Sequence, residues 1–294
     1  MGTWNVVVNR VTCGGGWKSW SRFLEENGID HTLHHTFSLE EVRETLRGLY
    51  ESGSRQFLFV GGDGTIHHGA NILLQLAGPH AMDITLGVLP CGTGNDWIRT
   101  FGVDKSKLAA AIKNEYTAPM NVIRVTWPDG RVHYGINMVG GALDASVVSL
   151  LKRAPIKIPS FIIYPFGLLK ALLRPHTWNG KFTIDGHVHE GSWLTVQAGF
   201  GKYCGGGMYV LPHAREDSPA LLLMKPKSFW SILWSTPRIY NGKITRDKKA
   251  ITHHFEKIEI AHQDKPIPLE ADGEWMGWSP ATLEARFDVM RRIV

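Results

Sequence analysis

Three short segments contain the residues that could perform chemistry, and each combines glycine with small polar or acidic side chains. The segment GGDGT (61–65) follows one apolar run, GTGND (92–96) follows another, and DGE (272–274) lies further along the chain. Glycine lets a backbone approach phosphate oxygens closely, and the N-terminus of a following helix offers unpaired N–H groups to an anion. The first two segments therefore predict phosphate binding after neighbouring strands.

The acidic residues of these segments predict a second kind of chemistry. A carboxylate such as Asp63 is unusual in an anion-binding loop, but it is suitable if it holds the Mg²⁺ of a nucleotide, directly or through water. Asp272 and Glu274 suit a general base and a metal-linked or orienting acid. Each feature also has a plain structural interpretation: GGDGT as a tight strand–helix turn in which Asp63 and Thr65 only cap the helix, and DGE as a β-turn.

The first 124 residues alternate apolar runs with helical stretches. Continuous apolar strands are predicted at 4–8, 57–60 and 85–89, with helices between them. A helix is predicted from the capping box of Ser38 and Glu41 to about residue 52, and Asp96 is the expected cap of a helix that begins at Trp97. Such a pattern indicates a Rossmann-like parallel α/β domain over 1–124, with ligands at the carboxyl ends of its strands.

After residue 124 the pattern becomes antiparallel. The dipeptides Asp129-Gly130 and Asp185-Gly186 each separate two runs of strand character, which predicts two β-hairpins. We expect a β-rich domain over 125–280, a helical insert over 150–174, and a tail, 281–294, that packs back on the first domain.

Composition narrows the class of protein. The net charge of +5 and the apolar content of 43% fit a globular protein with anionic partners. Three scattered cysteines favour a reducing, cytoplasmic compartment and argue against a disulfide framework. The apolar run over 156–173 is interrupted by lysines and prolines, so we do not expect it to span a membrane. No GxxxxGK[ST] motif is present.

The order and spacing of GGDGT, GTGND and DGE resemble the diacylglycerol kinase catalytic family, which includes bacterial diacylglycerol kinases, YegS-like lipid kinases and sphingosine kinases. Further matches extend the resemblance over nearly the whole chain. These are the NxxGxGxDA positions Asn137, Gly140, Asp144 and Ala145, and the GGG segment over 205–207 with Pro212 and Ala214.

The resemblance implies a fold of class α/β plus β: a parallel α/β nucleotide domain and a C-terminal antiparallel β-sandwich-like domain, with the site between them. It implies transfer of the γ-phosphoryl group of ATP to a lipid alcohol such as diacylglycerol. In that reaction Asp272 and Glu274 would be catalytic, and Asp63 and Glu274 would hold Mg²⁺. The expected nucleotide-binding residues are Asn9, Thr36, Gly61, Gly62, Asp63, Gly64, Thr65, Thr93 and Asn95.

The sequence also departs from the family pattern. Only Asn9 remains of the first motif, His67-His68 replaces Asn-Glu, and Asn121 replaces an aspartate. Ser218 follows Asp217 in a segment, 217–222, that lacks the further acids of the family's DGxLD pattern. These changes weaken the acidic network and the case for a structural Mg²⁺ site. Two alternatives therefore stay open: a degenerate, non-catalytic member that binds nucleotide or lipid, and a soluble-substrate kinase of the NAD-kinase type.

The expected partners follow from the same residues. Trp230 and Trp234, beside Lys225 and Lys227, suggest peripheral membrane contact, although core packing explains most tryptophans. No basic stripe with interleaved aromatics stands out, so a nucleic-acid partner is not expected. The oligomeric state, a homodimer included, stays open.

Overall fold

The computed structural model describes residues 2–152 and 177–294. They form two compact units: unit 1 comprises residues up to Asn121 together with Phe287–Val294, and unit 2 is Val122–Arg286. Most of the predicted helical insert over 150–174 lies outside the described residues, as does the apolar run over 156–173.

Among the described residues, the helices lie mainly in unit 1. In chain order they are α1 (Arg10–Cys13), α2 (Trp17–Glu26), α3 (Leu39–Glu51), α4 (Asp63–Ala77), α5 (Asp96–Phe101), α6 (Lys105–Lys113), α7 (Leu143–Lys152) and α8 (Phe229–Tyr240), with short 3-10 helices at Gly78–Asp83 and Lys243–Arg246. None of the helices in the described ranges is long and apolar enough to cross a lipid bilayer.

The strands are β1 (Trp4–Asn9), β2 (His31–Thr36), β3 (Gln56–Gly61), β4 (Thr85–Pro90), β5 (Thr117–Thr126), β6 (Val132–Gly135), β7 (Met138–Ala142), β8 (Trp178–Ile184), β9 (His187–Trp193), β10 (Thr195–Gly199), β11 (Tyr203–Cys204), β12 (Met208–Tyr209), β13 (Ala220–Met224), β14 (Ala250–His254), β15 (Lys257–His262), β16 (Pro268–Ala271), β17 (Glu274–Trp278) and β18 (Ala281–Ile293).

Unit 1 is built on a parallel sheet in the order β2-β1-β3-β4, and the end of β18 continues it beside β4. The strands β1 and β3 are almost wholly buried, as their continuous apolar sequences predict for a sheet covered on both faces. The predicted capping box at the start of α3 is confirmed, since Ser38 accepts the N–H of Glu41 and Glu41 accepts the N–H of Phe37.

Unit 2 is antiparallel. One sheet has the order β14-β13-β10-β7-β16-β17, and β9, β8, β15 and the first part of β18 form another. Both predicted hairpins are confirmed, because β5 pairs with β6 and β8 pairs with β9 across the two Asp-Gly turns. The α/β plus β fold class, with a parallel N-terminal unit and an antiparallel sandwich-like unit, is therefore correct.

The chain passes between the units twice, after Asn121 and after Arg286. Within unit 1 the two passages are tied together, because the Asn121 side chain accepts the backbone N–H of Asp288 at 2.8 Å. The family pattern has an acid at position 121, and here the amide oxygen is used for this bond.

Candidate active site

The carboxyl ends of the unit 1 strands bring the predicted nucleotide-binding residues to one edge of the sheet. Asn9 at the end of β1 lies opposite Thr36 at the end of β2, and Gly61 at the end of β3 lies opposite Pro90 at the end of β4. The loops 61–65 and 92–96 both leave this edge. It is the position at which open parallel sheets bind their ligands.

The two glycine loops touch each other through their backbones. A Cβ atom built on Gly92 would lie 2.6 Å from the Cα of Gly62, and Cys91 donates its N–H to the Gly61 carbonyl at 2.8 Å. Glycine is required here by this close approach, because no larger residue fits between the loops without moving one of them.

Replacement of Gly92 by alanine should therefore push the loops apart. We expect the Kd for ATP to rise at least about tenfold, with a loss of about 1–3 kcal/mol in the free energy of unfolding, as for overpacked sites. Isothermal titration with ATP and thermal denaturation measure the two effects. Gly48→Ala is the matched control, since a Cβ there meets no atom within 4 Å and alanine favours the helix. Unchanged ATP binding in Gly92→Ala would contradict the assignment of this loop.

The side chains of Asn9 and Thr65 connect the end of β1 to the start of α4. Asn9 donates its Nδ2–H to the Thr65 hydroxyl at 3.0 Å, while its Oδ1 caps α1 by accepting the N–H of Thr12. The expectation that Thr65 caps α4 is wrong: α4 begins after Gly62 and has no side-chain cap. Its N-terminal end is therefore left to backbone N–H groups, which favour an anion.

Asp63 joins the two loops. Its Oδ1 accepts the backbone N–H of Trp97 at 3.0 Å, in the first turn of α5. The sequence assigned this capping role to Asp96, but Asp96 is itself the first residue of α5, where it is buried and lies 3.7 Å from Arg99. A carboxylate from the first loop thus holds the helix that follows the second.

The remaining predicted nucleotide residues differ in their exposure. Thr36 is buried, and its hydroxyl donates to the Val8 carbonyl at 3.1 Å, so its role at this edge is to hold β1 and β2 together. Thr93 is exposed and Gly64 is half-buried. Asn95 adopts a left-handed conformation with φ of 53°, and its buried Oδ1 has no hydrogen-bond partner among the described residues. An acceptor without a partner is suited to a donor on a bound ligand.

Arg10 is a candidate that the motif comparison missed. Its guanidinium lies 5.1 Å from the ring centre of Trp17 and 5.6 Å from that of Phe37, directly after Asn9. Within the described part of the chain its buried Nε has no hydrogen-bond partner. The family pattern has an uncharged residue at this position, and the basic replacement brings a cation to the edge that carries the glycine loops. Its position next to Asn9 was the available signal.

In unit 2, the backbone holds the Asp272 carboxylate. Asp272 lies in the turn between β16 and β17 with φ of 53°, and it accepts the backbone N–H groups of Ile136, Asn137 and Met138 at 2.8–2.9 Å. Glu274 is the half-buried first residue of β17. Asp272 is thus fixed in place before any ligand binds.

Glu270 is a second residue that the motifs did not indicate. It is 6% exposed, and burial raises its pKa to about 8, with repulsion from Asp144, Asp272 and Glu274 adding to the effect. Glu270 lies in β16, two residues before Asp272 in the turn that follows this strand, and this spacing is the signal that could have found it. The motif glycine Gly140 makes room for it, because a Cβ there would lie 2.0 Å from the Glu270 Oε1.

Asp144 of the NxxGxGxDA motif belongs to the same group of acids. Burial raises its pKa to about 7, although a hydrogen bond with Gln197 acts in the opposite direction, and Thr195 also donates to it. Clusters of carboxyl groups with perturbed pKa values are typical of functional sites, although structural networks also produce them.

Few of the described carboxylates lie close enough together to bind a metal ion. Among the described residues, no three His, Cys, Asp or Glu side chains are arranged to hold a metal ion. The predicted ligands Asp63 and Glu274 lie in different units. The Asp217 carboxylate, where the family has a second acidic residue nearby, pairs with Arg215 at 2.9 Å. Mg²⁺ in kinases usually takes one or two carboxylates together with the substrate phosphates.

The fold and the strand-end loops define a class of protein: a two-unit α/β plus β protein with two glycine loops at the carboxyl ends of a parallel sheet. Comparison with known families gives the particular assignment. A model of the diacylglycerol kinase catalytic domain matches residues 4–125, and one of the YegS C-terminal NAD kinase beta sandwich-like domain matches residues 137–294. The chain therefore belongs to the diacylglycerol kinase catalytic family, with a YegS-type C-terminal domain.

Individual relatives are similar over most of their length. YtlR of Bacillus subtilis (strain 168), named provisionally as a lipid kinase, is 26% identical and covers 91% of this chain and 90% of its own. A diacylglycerol kinase of Mycobacterium tuberculosis (strain ATCC 25618 / H37Rv) is 27% identical, and the match covers 89% of this chain and 84% of that relative. A crystal structure described as a diacylglycerol kinase of Bacillus anthracis str. Sterne has a TM-score of 0.71 at 19% identity, over 99% of this chain and 96% of that one. This likeness shows the fold.

Proposed function

We propose that the protein is an ATP-dependent lipid kinase that transfers the γ-phosphoryl group of ATP to the hydroxyl of a lipid alcohol such as diacylglycerol. The observation that carries the proposal is the contact between the loops 61–65 and 92–96 at the carboxyl ends of β3 and β4. The names of the relatives support the lipid acceptor.

The nucleotide would lie on the unit 1 edge. The start of α4, where the N-cap residue Gly62 offers no side-chain cap, would receive its phosphates. Asn9 and Thr65 supply polar atoms beside the phosphates, and Arg10 supplies a cation. The unpaired Oδ1 of Asn95 would accept a hydrogen bond from an N–H or O–H donor elsewhere on the nucleotide. Such positioning and electrostatic stabilisation provide most of the barrier reduction in phosphoryl transfer.

The reaction forms a bond from the lipid hydroxyl oxygen to the γ-phosphorus and breaks the bond from that phosphorus to the β–γ bridging oxygen, so that ADP leaves. The hydroxyl proton passes to a carboxylate, and Asp272 is our candidate for that base. The three N–H groups that hold Asp272 limit its reorganisation during the reaction. Glu274 is the candidate for orienting the acceptor side.

Asp63 and Glu274 are the proposed Mg²⁺ ligands. When bound, the ion would neutralise charge that develops on the phosphates. Because Asp63 also caps α5, its two roles must be separated by the choice of variant.

Asp63→Asn should separate the metal role from the capping role. Asparagine keeps an oxygen that accepts the Trp97 N–H but loses the negative charge, so the thermal midpoint should hold while the Mg²⁺ concentration for half-maximal ATP turnover rises about 10- to 100-fold. Asp63→Ala loses both functions and should also lower stability by about 1 kcal/mol, as for a lost helix cap. A normal Mg²⁺ requirement in Asp63→Asn would show that Asp63 caps α5 and does not bind the metal ion.

An acceptor screen tests the proposed function. The purified protein is incubated with ATP and Mg²⁺ together with detergent-dispersed diacylglycerol, a total lipid extract, or NAD, and products are identified by mass spectrometry. We expect phosphorylated lipid and no phosphorylated NAD. A product only with NAD would establish the soluble-substrate alternative. ATP-induced thermal stabilisation without any product would establish the non-catalytic one.

A further inference from the structure

Helix α8 in unit 2 presents an exposed apolar face that the fold does not use. Trp230, Leu233 and Trp234 are 67%, 46% and 82% exposed, and Pro237 continues the same face one turn later. The two tryptophans are the most exposed large apolar side chains in the described part of the chain. Their spacing of three and four residues places them on one side of the helix.

The opposite face of α8 is fixed to unit 2. Ile232 and Ser235 are each 5% exposed. Ser235 accepts a hydrogen bond from the Lys227 ammonium at 2.7 Å, and that ammonium also pairs with Asp247 at 2.5 Å. Lys227 was expected beside the tryptophans as a surface cation, and this expectation is wrong because its side chain is buried. The exposed face is therefore held outward by a buried ion pair.

The segment around α8 is the most basic part of the molecule. Residues 225–249 contain seven basic residues and one acidic residue, a net charge of +6, whereas the whole chain carries +5. No basic stripe was expected from the sequence, and this segment is an exception to that expectation. Its one acid, Asp247, is paired with Lys227, and six cations are exposed: Lys225, Arg238, Lys243, Arg246, Lys248 and Lys249.

We propose that α8 and the basic segment around it form a docking surface for an anionic lipid bilayer. Tryptophan and leucine would enter the headgroup region, and the six cations beside them would meet anionic lipid. A second copy of the chain suits this surface poorly, because pairing through it would bring two segments of net +6 together. Nucleic acid suits it less well, since Leu233 and Pro237 put side chains that do not stack on bases on the same face as the tryptophans.

This surface is distinct from the candidate catalytic residues, so it extends the proposed function without depending on it. Binding is measured by cosedimentation with vesicles in the absence of ATP, and turnover is measured separately on detergent-dispersed diacylglycerol. If vesicles bind but no lipid is phosphorylated, the docking surface stands and the proposed reaction fails.

Vesicles of phosphatidylcholine with one-third phosphatidylglycerol should bind the protein, and vesicles of phosphatidylcholine alone should bind it at least about tenfold less, since each basic side chain near an anionic surface contributes roughly fivefold. High salt should weaken binding. Two variants test the two components: Trp230→Ser with Trp234→Ser, and Lys225→Gln with Lys243→Gln and Lys248→Gln. Each should lower the partition coefficient at least about tenfold.

Tyr116→Ser with Val188→Ser is the matched control, because these side chains are 56% and 53% exposed but lie outside α8. Its partition coefficient should stay within about twofold of the parent, as for scattered surface apolar residues. Equal vesicle binding by the parent and the tryptophan variant would overturn the proposal. Two other results would also overturn it, provided that the tryptophan variant still binds vesicles. One is a parent dimer, seen in sedimentation velocity, that the tryptophan variant does not form, and the other is an oligonucleotide that the parent binds and the variant does not.

Discussion

Asp272→Asn should lower lipid-dependent ATP turnover by a factor of about 10² to 10⁴, the usual contribution of a general base. The asparagine keeps one oxygen for the N–H groups of Asn137 and Met138, but its amide would face the N–H of Ile136. A loss of about 1–3 kcal/mol in stability, the cost of an unsatisfied buried donor, should accompany the loss of activity.

A matched control is present elsewhere in unit 2. Asp185 lies in an Asp-Gly turn with φ of 46°, close to the 53° of Asp272, and its carboxylate also accepts backbone N–H groups, those of Glu256 and Lys257. Asp185→Asn should lower the thermal midpoint by less, because the N–H groups of Glu256 and Lys257 are exposed to water, while turnover stays normal. If both variants lose activity in proportion to their stability, Asp272 is an anchor for the backbone and not a base.

Glu274→Gln completes the comparison. The substitution retains the shape of the side chain and removes its charge, so a role in the reaction predicts a loss of turnover with little change in the thermal midpoint. Turnover equal to the parent would remove Glu274 from both its catalytic and its metal-binding assignment.

Glu270→Gln should stabilise the protein at alkaline pH. Burial raises the folded-state pKa of Glu270 to about 8, above the ordinary value of 4.5. Between these values the folded state holds a proton that the unfolded state has released, so the stability of the parent falls as the pH rises from about 5 to about 8. The total loss is on the order of a few kcal/mol, since each pKa unit corresponds to about 1.4 kcal/mol.

Glutamine carries no titrating proton, so the variant does not lose stability in this pH range through position 270. The backbone N–H of Gly273 donates to Glu270 and favours its ionised form, but burial and the carboxyls of Asp144, Asp272 and Glu274 oppose ionisation and outweigh it. Chemical denaturation at pH 5 and pH 9 measures the difference: the variant and the parent should be close at pH 5, and the variant should be clearly more stable at pH 9. Glu259→Gln is the control, because Glu259 is exposed and pairs with Lys257. If the difference in the free energy of unfolding between the variant and the parent does not change with pH, Glu270 is ionised in the folded protein.

The parts of the fold that the sequence predicted depend on local patterns. Buried strands such as β1 and β3 are continuous apolar runs, and the Asp-Gly turns are set by the conformation of two residues. By contrast β2, with the sequence HTLHHT, was not predicted, because it carries mostly polar side chains at the edge of the sheet. An edge strand is ordered by its neighbour β1 and not by its own hydrophobic pattern.

The features of the site that escaped prediction all depend on contacts between distant residues. The cap of α5 comes from Asp63, 34 positions away from Trp97, and Glu270 is buried because Gly140 on a neighbouring strand leaves space for it. Lys227 has a basic sequence context but a buried partner in Asp247. Motifs located the glycine loops, but the partners of each side chain are set by the fold.

The return of β18 to unit 1 delays the completion of that unit during synthesis on the ribosome. Arg291 and Arg292 pair with Thr85 and Leu86 of β4, and Ile293 lies in the same hydrophobic core as Trp4 and Val6. All of unit 2 is translated before these residues, which takes on the order of ten seconds at ordinary elongation rates. During that interval nascent unit 1 has an unpaired β4 edge and an incomplete core, the condition in which strands aggregate. The first part of β18 also completes a sheet of unit 2, so both units wait for this strand before their sheets are complete.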